Sequence, residues 1–323
     1  MKGTVVGILR GGPSRGHEIS LQTGHVMLNN LPPEDFTVRD IYIDRKGVWH
    51  ERGRPVRPEQ ILNTVDVILL GLHGEYGEDG EIQKLLELHG IPYVGSDSLG
   101  SAITAHKILT KERAEDVGVR TPRHVLIEST DDISTAAVEI VRNFPQPVIV
   151  KPIRWGSSAG ITLASGYAPV VAAIQNLFLA GADMVMVEEF IRGTEVSVGV
   201  IEQFRGKEHY VLPPVQVLPS KDIGFFSFET KCKGKGVGLC PARITKEEEQ
   251  ELGRLATEMH KALGLRHYSG SDFIVSPRGI YYLETNTLPS MGPSSLLPHA
   301  LKSVGASLSD FFTHLVNLSL NKI

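Results

Sequence analysis

Short apolar runs alternate with amphipathic segments in the N-terminal third of the chain. A strand buried on both faces shows as a nearly continuous apolar run, whereas a surface helix has apolar residues at intervals of three and four. Helical spacing is found over Ile19–Leu31 and Glu81–Leu88. Strands are predicted at Thr4–Leu9, Phe36–Ile43, Val65–Leu72 and Ile91–Val94. This alternation predicts a doubly wound parallel sheet for residues 1–98.

The pattern becomes more mixed after residue 98. In residues 99–184 the predicted elements are helix Ser101–Val117, strand His124–Ile127, helix Ile133–Asn143 and strand Val148–Val150. Strand Met184–Phe190 leads into residues 185–323. The other predicted elements there are strands Glu195–Glu202 and His209–Val217, helix Lys246–Leu263, strands Ser271–Val275 and Ile280–Glu284, and two terminal helices. Strand runs followed by helices are typical of an α+β unit. The prediction is a three-unit α/β and α+β architecture with an N-terminal doubly wound domain.

Charge and composition limit the class of ligand. The chain has 323 residues with 33 Lys and Arg against 37 Asp and Glu, a net charge of −4. This balance provides no basic footprint, so neither a nucleic acid nor a membrane is expected as a partner. No apolar stretch approaches the ~20 residues of a membrane helix. Two cysteines, Cys232 and Cys240, fit a reducing compartment, and a cytoplasmic location is predicted.

A lysine at the end of a strand begins the first stretch with candidate chemistry. Lys151 follows Val148–Val150, and the loop Gly156-Ser157-Ser158-Ala159-Gly160 comes soon after it. An ammonium group beside small residues with accessible backbone N–H groups can bind phosphate. The alternative is an ordinary turn with an exposed lysine. The chain contains no GxxxxGK[ST] or GxGxxG motif, so the usual nucleotide-binding loops are excluded.

Acidic and amide side chains near the C-terminal strands form the second candidate site. Glu284 and Asn286 are two residues apart on one strand and therefore share a face, and Asp272 lies on the preceding strand. Oxygen ligands of this kind suit Mg²⁺. Such carboxylates can also be solvated or cap a turn. Beside a phosphate-binding lysine, a site for Mg²⁺ and a nucleotide is the favoured interpretation.

Together with these residues, several motifs resemble the ordered signature of the D-alanine–D-alanine ligase family, within the ATP-grasp fold. They are His73–Gln83 (HGEYGEDGEIQ), Tyr93–Ser96 (YVGS), the glycine–serine loop, Glu188–Glu195 (EEFIRGTE) and Glu284–Thr287 (ETNT). The resemblance spans nearly the whole chain. It implies that ATP phosphorylates the carboxylate of one D-alanine, and that the amine of a second attacks the acyl phosphate. The dipeptide product serves peptidoglycan precursor synthesis.

The resemblance also implies roles for individual residues. Lys107 and Lys151 would grip the ATP phosphates, Glu188 and Ile191 would meet adenine, and Glu195 would bind ribose. Mg²⁺, or Mn²⁺ in its place, would be held by Asp272, Glu284 and Asn286. Glu18 would hold the ammonium of the first D-alanine, Ser157 and Lys231 would lie near the reacting groups, and Ser295 and Leu296 would receive the second carboxylate. A lid over Lys231–Gly238 and a homodimer are also expected.

Several of these residues have structural alternatives that the sequence leaves open. His73 is either a charge beside the substrate that titrates near neutral pH or a hydrogen-bonded core histidine. Glu18 is either a substrate ligand or a carboxylate that complements a helix N-terminus. Ser295 is either a substrate ligand or a helix cap. Lys107 without its family context would be a solvated helix residue.

The chain departs from the family pattern at four positions. The family has arginine, glycine, glutamate and tyrosine where this chain has Gly270, Ser290, Trp155 and Cys232. The missing arginine would stabilise the tetrahedral oxyanion, so slow ligation is expected unless Arg154 or Arg266 compensates. The alternatives are a carboxylate–amine ligase with another substrate and an ATP-binding homologue that has lost ligation. A dinucleotide oxidoreductase is disfavoured, because Gly11–Gly16 lacks the required glycine spacing.

Overall fold

A mostly parallel sheet forms the N-terminal part of the computed structural model, which describes residues 3–156, 159–218 and 238–321. Its strand order is β4-β3-β2-β1-β5-β6. The strands are β1 (Thr4–Gly11), β2 (Phe36–Ile43), β3 (Trp49–Glu51), β4 (Arg54–Val56), β5 (Val67–Leu70) and β6 (Tyr93–Val94), and the helices are α1 (His17–Asn30), α2 (Pro58–Leu62) and α3 (Glu81–Leu88). Strands β2, β1, β5 and β6 are parallel, as predicted, and the β3–β4 hairpin, which was not predicted, extends one edge.

The turn after β1 depends on glycine. Gly11 has φ of 92°, and a Cβ atom there would lie 2.2 Å from the Ile43 carbonyl oxygen on β2. A larger residue would push the two strands apart, because backbone atoms cannot give way at that distance. The Gly11 N–H donates to Ser20 Oγ at 2.8 Å, and Ser20 Oγ donates to the Gly71 carbonyl at 2.6 Å. These bonds fix α1 over the carboxyl ends of β1 and β5.

An antiparallel sheet in the order β7-β10-β8-β9 follows in the chain. Its strands are β7 (His124–Glu128), β8 (Val148–Pro152), β9 (Thr162–Ala164) and β10 (Met184–Glu189), and the helices of this region are α4 (Ser98–Ala105), α5 (Lys107–Asp116), α6 (Ile133–Asn143) and α7 (Tyr167–Leu179). Apolar side chains of α6 and α7 form one core with this sheet. The single helix predicted over Ser101–Val117 is wrong: it divides because His106 has extended backbone, with φ of −103° and ψ of 101°.

The C-terminal sheet has the order β14-β13-β11-β15-β16, and β12 also pairs with β11. Its strands are β11 (Thr194–Glu202), β12 (His209–Val211), β13 (Val215–Val217), β14 (Gly238–Leu239), β15 (Tyr268–Ser276) and β16 (Gly279–Asn286), and the helices are α8 (Lys246–Ala262), α9 (Leu296–Ser303) and α10 (Leu308–Ser319). The continuous strand predicted over His209–Val217 is wrong. Pro213 and Pro214 interrupt it, since proline has no N–H to donate to a neighbouring strand.

The C-terminal helices return to the first sheet. Phe311, Phe312 and Leu315 of α10 share an apolar core with Ile8 of β1 and Leu69 of β5. The first and third predicted units therefore have one core in common, and the boundaries at residues 98 and 184 stay predictions. None of the helices within the described ranges has the length and apolar character needed to span a bilayer.

Candidate active site

The hairpin formed by β15 and β16 brings together the side chains predicted to hold a metal. Asp272 and Glu284 are cross-strand partners, and Asn286 stands opposite Gly270. The Asn286 Nδ2 atom lies 3.5 Å from Asp272 Oδ2. Glu284 and Asn286 are half-buried while Thr285 between them is buried, which agrees with the two-residue period of a strand. Two carboxylates and an amide oxygen suit a hard cation such as Mg²⁺.

Two cavities meet at this hairpin. The small cavity has a volume of about 130 Å³ and the large cavity about 620 Å³. Asp272 lines the small cavity, Glu284 lines the large cavity, and Asn286 lines both. Glu78, from the loop before α3, also lines both. The predicted metal ligands therefore lie at the boundary between the cavities.

Lys107 lies on the wall of the large cavity. The break at His106 makes it the first residue of α5, and its Nζ atom donates to the Trp155 carbonyl oxygen at 3.0 Å. Trp155 and Arg154 belong to the loop after β8 and line the same cavity. Two cationic side chains and the Glu284 carboxylate thus share one cavity. A polyphosphate bound with a divalent cation needs this combination of groups.

A buried ion-pair triad lies behind the loop. Glu188 Oε2 is 2.6 Å from Lys151 Nζ, and Glu188 Oε1 is 2.8 Å from Lys111 Nζ. The Lys111 Nζ atom also donates to the Pro122 carbonyl at 3.1 Å. Burial alone would raise the pKa of Glu188, but the two ammonium charges outweigh it and lower that pKa to about 2. Glu188 is therefore an anion held between two lysine side chains.

The other residues predicted to bind the nucleotide lie on or next to strands β10 and β11. Ile191 is buried just after β10, and Glu195 is half-buried on β11 opposite Ile274 of β15. Lys151, Glu188, Ile191 and Glu195 are not among the residues that line the two cavities. The structure thus brings Lys107 and the hairpin side chains to the cavities, and it pairs Lys151 with Glu188 in the adjacent interior.

Ser295 and Leu296 line the small cavity at the start of α9. Ser295 occupies the capping position, but its side chain makes no capping hydrogen bond. Its Oγ atom instead lies 2.9 Å from Ser290 Oγ. Ser295 therefore stands at the N-cap with its hydroxyl turned toward Ser290.

His73 lines the small cavity. Its Nε2 atom is 2.7 Å from Thr23 Oγ1, and the residue is 5% exposed. Burial lowers the pKa of His73 to about 4. The structure therefore favours a hydrogen-bonded histidine in the cavity wall over a charge that titrates near neutral pH.

Glu18 is not brought to either cavity. It lies at the start of α1, where its carboxylate is 2.8 Å from Arg45 Nη2 and its side chain is 71% exposed. Ile19 and Gln22 of the same helix line the small cavity instead. A role in holding a substrate ammonium would require Glu18 to exchange Arg45 for the substrate.

Comparison with known proteins identifies the family. The family model for the D-ala D-ala ligase C-terminus matches residues 114–317, and the model for the D-ala D-ala ligase N-terminus matches residues 50–96. A D-alanine–D-alanine ligase from Halalkalibacterium halodurans is 36% identical over 98% of this chain and 99% of its own length. The chain belongs to the D-alanine–D-alanine ligase family.

Solved structures of D-alanine–D-alanine ligases and a related enzyme have the same fold. VanG D-Ala:D-Ser ligase from Enterococcus faecalis has a TM-score of 0.82 at 28% identity and covers 98% of this chain and 100% of that one. The D-alanine–D-alanine ligase from Bacillus anthracis complexed with ATP has a TM-score of 0.82 at 25% identity and covers 98% of each chain. The predicted ATP-grasp fold is confirmed, and the chain is an ATP-dependent ligase of this family.

The departures from the D-alanine–D-alanine ligase pattern at Gly270 and Ser290 fall on the small cavity. A Cβ atom on Gly270 would lie 3.1 Å from Pro289 Cγ, so Pro289 would have to move slightly to admit a side chain. No lysine or arginine is found among the described residues that line this cavity. Arg266 lies at another cleft, with Nη2 3.2 Å from Tyr93 OH, and Arg154 lines the large cavity. Arg266 is therefore not placed to replace the missing arginine.

The departure at Trp155 creates a contact between two loops. The Arg15 guanidinium stacks on the Trp155 ring, with Cζ 3.7 Å from the ring centroid. Arg15 belongs to the turn between β1 and α1, whereas Trp155 belongs to the loop after β8. A cation–π contact replaces the negative charge that the family pattern has at this point.

Some predicted residues lie outside the described part of the chain. Ser157, Lys231 and the departure at Cys232 belong to this group, as does the predicted lid except for Gly238, which begins β14. Their predicted roles stay predictions.

Sequence reasoning missed Lys111 and Glu78. Lys111 lies one helical turn after Lys107, a spacing that places both lysines on one face of α5. This four-residue spacing is the sequence signal that points to Lys111. Glu78 stands inside the motif quoted for the family, but that motif includes other acidic residues, Glu75, Asp79 and Glu81, with similar local sequence. Loss of water around the Glu78 carboxylate raises its pKa to about 7, and this effect of the fold cannot be read from the motif.

Proposed function

We propose that the chain joins two D-alanine molecules into a dipeptide at the expense of ATP. The observation that carries this proposal is the position of Asp272, Glu284 and Asn286 between a large cavity with cationic walls and a small cavity without them. The large cavity suits a nucleotide, and the small cavity suits compact amino acids. Phosphoryl transfer between them would occur at the boundary.

The proposed reaction has two steps. A carboxylate oxygen of the first D-alanine attacks the γ-phosphorus, and ADP leaves. The amine of the second D-alanine then attacks the acyl carbon, loses a proton, and phosphate leaves as the amide forms. The protein contributes positioning and charge neutralisation, as in other phosphoryl transfers.

The residues of the hairpin fit Mg²⁺, with Mn²⁺ as a substitute. The proposed ligands are Asp272, Glu284 and Asn286, whose oxygen donors match hard cations. When bound, the ion would neutralise charge on the transferring phosphoryl group. Lys107 on the cavity wall would bind the phosphates. The roles of Lys151 in phosphate binding and of Glu188, Ile191 and Glu195 in binding adenine and ribose rest on the family resemblance, because none of the four lines either cavity.

The small cavity would hold the amino acids. Ser295 and Leu296 at the start of α9 would receive the second carboxylate, because backbone N–H groups at a helix start attract anions. A role for Glu18 in binding the first ammonium rests on the family resemblance, because its carboxylate pairs with Arg45 and lines neither cavity. Glu78 would accept the proton from the attacking amine, since it lines both cavities and a base with a pKa of about 7 can cycle near neutral pH.

The test is product analysis with the purified chain, ATP, MgCl₂ and D-alanine, measuring ADP, phosphate and D-alanyl-D-alanine together. We expect equal amounts of the three. ADP formation with an amide product only when another amino acid is added would indicate a different ligase. ATP binding without products would indicate a homologue that has lost ligation. Competition between D-alanine and D-serine identifies the acceptor, because the similar Enterococcus faecalis structure is a D-Ala:D-Ser ligase.

A cytoplasmic location and a homodimer also belong to the proposal. ATP is a cytoplasmic substrate, which supports the location, and the homodimer rests on the family resemblance. Sedimentation of the purified chain tests the oligomeric state.

A further inference from the structure

A cluster of two histidines and a glutamate lies on the C-terminal sheet, apart from the two cavities. Glu202 ends β11, His209 begins β12 as its cross-strand partner, and His260 comes from α8. One potential ligand atom from each side chain lies within 4.8 Å of the others. Neither cavity is lined by any of the three.

The separation between Glu202 and His260 is unlike that of a strong ion pair. The His260 Nε2 atom is 3.4 Å from Glu202 Oε1. A charged hydrogen bond between nitrogen and oxygen would be about 2.7–2.9 Å long. Two ligands at ~2.1 Å from a tetrahedral Zn²⁺ are about 3.4 Å from each other. The gap therefore matches the edge of a zinc coordination tetrahedron.

Neighbouring groups hold these two ligand atoms in place. The other ring nitrogen of His260, Nδ1, lies 2.8 Å from Ser269 Oγ. The other oxygen of Glu202, Oε2, accepts a hydrogen bond from the His267 backbone N–H at 2.5 Å. Histidines that bind metal commonly engage their second nitrogen in this way, which fixes the ring orientation. Nε2 and Oε1 are thereby directed toward a common point.

The third side chain completes a donor set typical of zinc. His209 is partly exposed, with 14% of its side chain accessible, and its ring centroid is 5.7 Å from that of His260. Two imidazoles and one carboxylate are a frequent set for Zn²⁺ and are unlike the all-oxygen set of Asp272, Glu284 and Asn286. A partly exposed ligand gives the metal a route from solvent.

We propose that Glu202, His209 and His260 bind Zn²⁺, with water in the fourth position. The site is separate from the nucleotide metal site: Ser197, which faces Asp272 across β11 and β15, precedes Glu202 by five residues, about 17 Å along the strand. The ion links the β11–β12 hairpin to α8. Its role is structural, because it joins three elements at one point.

The proposal extends to the contact between the first and third sheets. His267, whose N–H holds Glu202, accepts a hydrogen bond at Nδ1 from the Gly95 N–H at 2.9 Å, in the segment after β6. A metal that fixes Glu202 also fixes this junction. We therefore expect Zn²⁺ to raise the Tm of the whole chain.

The test titrates the full chain without an affinity tag with ZnCl₂, in competition with a chromophoric chelator. Wild type should bind one tight equivalent, and His209→Gln should bind it at least about tenfold more weakly. His25→Gln, a change at an exposed histidine of α1, is the matched control and should bind like wild type. Glu284→Gln should also retain the tight equivalent, which separates it from the nucleotide site.

Measurements of Tm and of Co²⁺ absorption check the zinc titration independently. ZnCl₂ should raise the Tm of wild type and His25→Gln but not of His209→Gln, and Co²⁺ should give the visible absorption of a four-coordinate ion only where His209 is present. Glu202→Gln provides a second ligand variant if His209→Gln does not fold. Equal zinc affinity in wild type and His209→Gln, or the absence of a tight equivalent in wild type, would overturn the proposal.

Discussion

Replacing Gly270 by arginine tests whether the small cavity lacks the charge that ligation needs. A preorganised donor to a developing oxyanion contributes about 2.7–4 kcal/mol, equivalent to ~10²–10³ in rate. The described wall of the small cavity has no lysine or arginine to make this contribution. Wild type should therefore ligate slowly.

The structure limits how much of that rate Gly270→Arg can recover. The new Cβ atom would lie 3.1 Å from Pro289 Cγ, and the guanidinium would have to enter a cavity of about 130 Å³. Overpacking of this kind costs about 1–3 kcal/mol. Subtracting it from the electrostatic gain leaves a rise of about tenfold in kcat, or ~1.4 kcal/mol.

The assay measures dipeptide formation under saturating ATP and D-alanine, with KM for ATP determined separately. Gly270→Met is the matched control, because it adds a long side chain without a charge and should not raise kcat. The ATP KM should change little in either variant, since the change lies on the small cavity. Adding Ser290→Gly should raise kcat further, because it removes the hydroxyl 2.9 Å from Ser295 Oγ and frees Ser295 for the acceptor carboxylate.

Two results would refute this reasoning. Equal rates in Gly270→Arg and Gly270→Met would show that charge at this position is not limiting. A wild-type kcat of ~10 s⁻¹ or more would show that another group already stabilises the oxyanion.

Three other predictions test separate parts of the site. Glu284→Ala should abolish ATP turnover with the circular dichroism spectrum unchanged, and a fully active, folded variant would place the metal elsewhere. Glu188→Gln should lower the free energy of unfolding, measured in urea, by about 3–5 kcal/mol, because it leaves two buried ammonium groups without a counter-charge. Lys111→Met should lower it less, because it leaves a neutral Lys151–Glu188 pair. An equal loss of stability in the two variants would contradict the charge argument. Because the Glu78 pKa is about 7 and its anion is the proposed base, kcat of wild type should rise with pH through 7. Glu78→Gln should lose that pH dependence in a pH–rate profile. An unchanged profile would show that Glu78 does not accept the proton.

Local rules were enough to predict that Asp272, Glu284 and Asn286 meet on one hairpin. Glu284 and Asn286 share a face because side chains alternate along a strand, and Asp272 is adjacent because consecutive strands usually pair. The buried partners were harder to predict. Lys151 and Glu188 meet only because β8 and β10 are neighbours in one particular register, which no local pattern specifies. The break at His106 has no glycine or proline to announce it, so tertiary packing decides it.

Environment also sets the chemistry of individual side chains. His73 was singled out from its motif, but its protonation depends on burial and on Thr23, which is 50 positions away in sequence. The Glu78 pKa likewise depends on how the loop before α3 folds against the C-terminal hairpin. Sequence indicates which groups are available, and the folded surroundings determine their charge.

The residues that depart from the family pattern make specific contacts in this chain. These contacts indicate whether the site has lost its function or has been adapted to another substrate. Trp155 takes the place of a glutamate and receives the Arg15 guanidinium at 3.7 Å, a contact of about 0.5–2 kcal/mol between two loops. Ser290 takes the place of a glycine and its hydroxyl pairs with Ser295. Pro289 lies against Gly270, where a Cβ atom would be 3.1 Å from Pro289 Cγ. Random loss of function would leave unpaired groups at such positions. These contacts instead favour an adapted acceptor site, so the choice of second substrate is where this chain should differ most from its relatives.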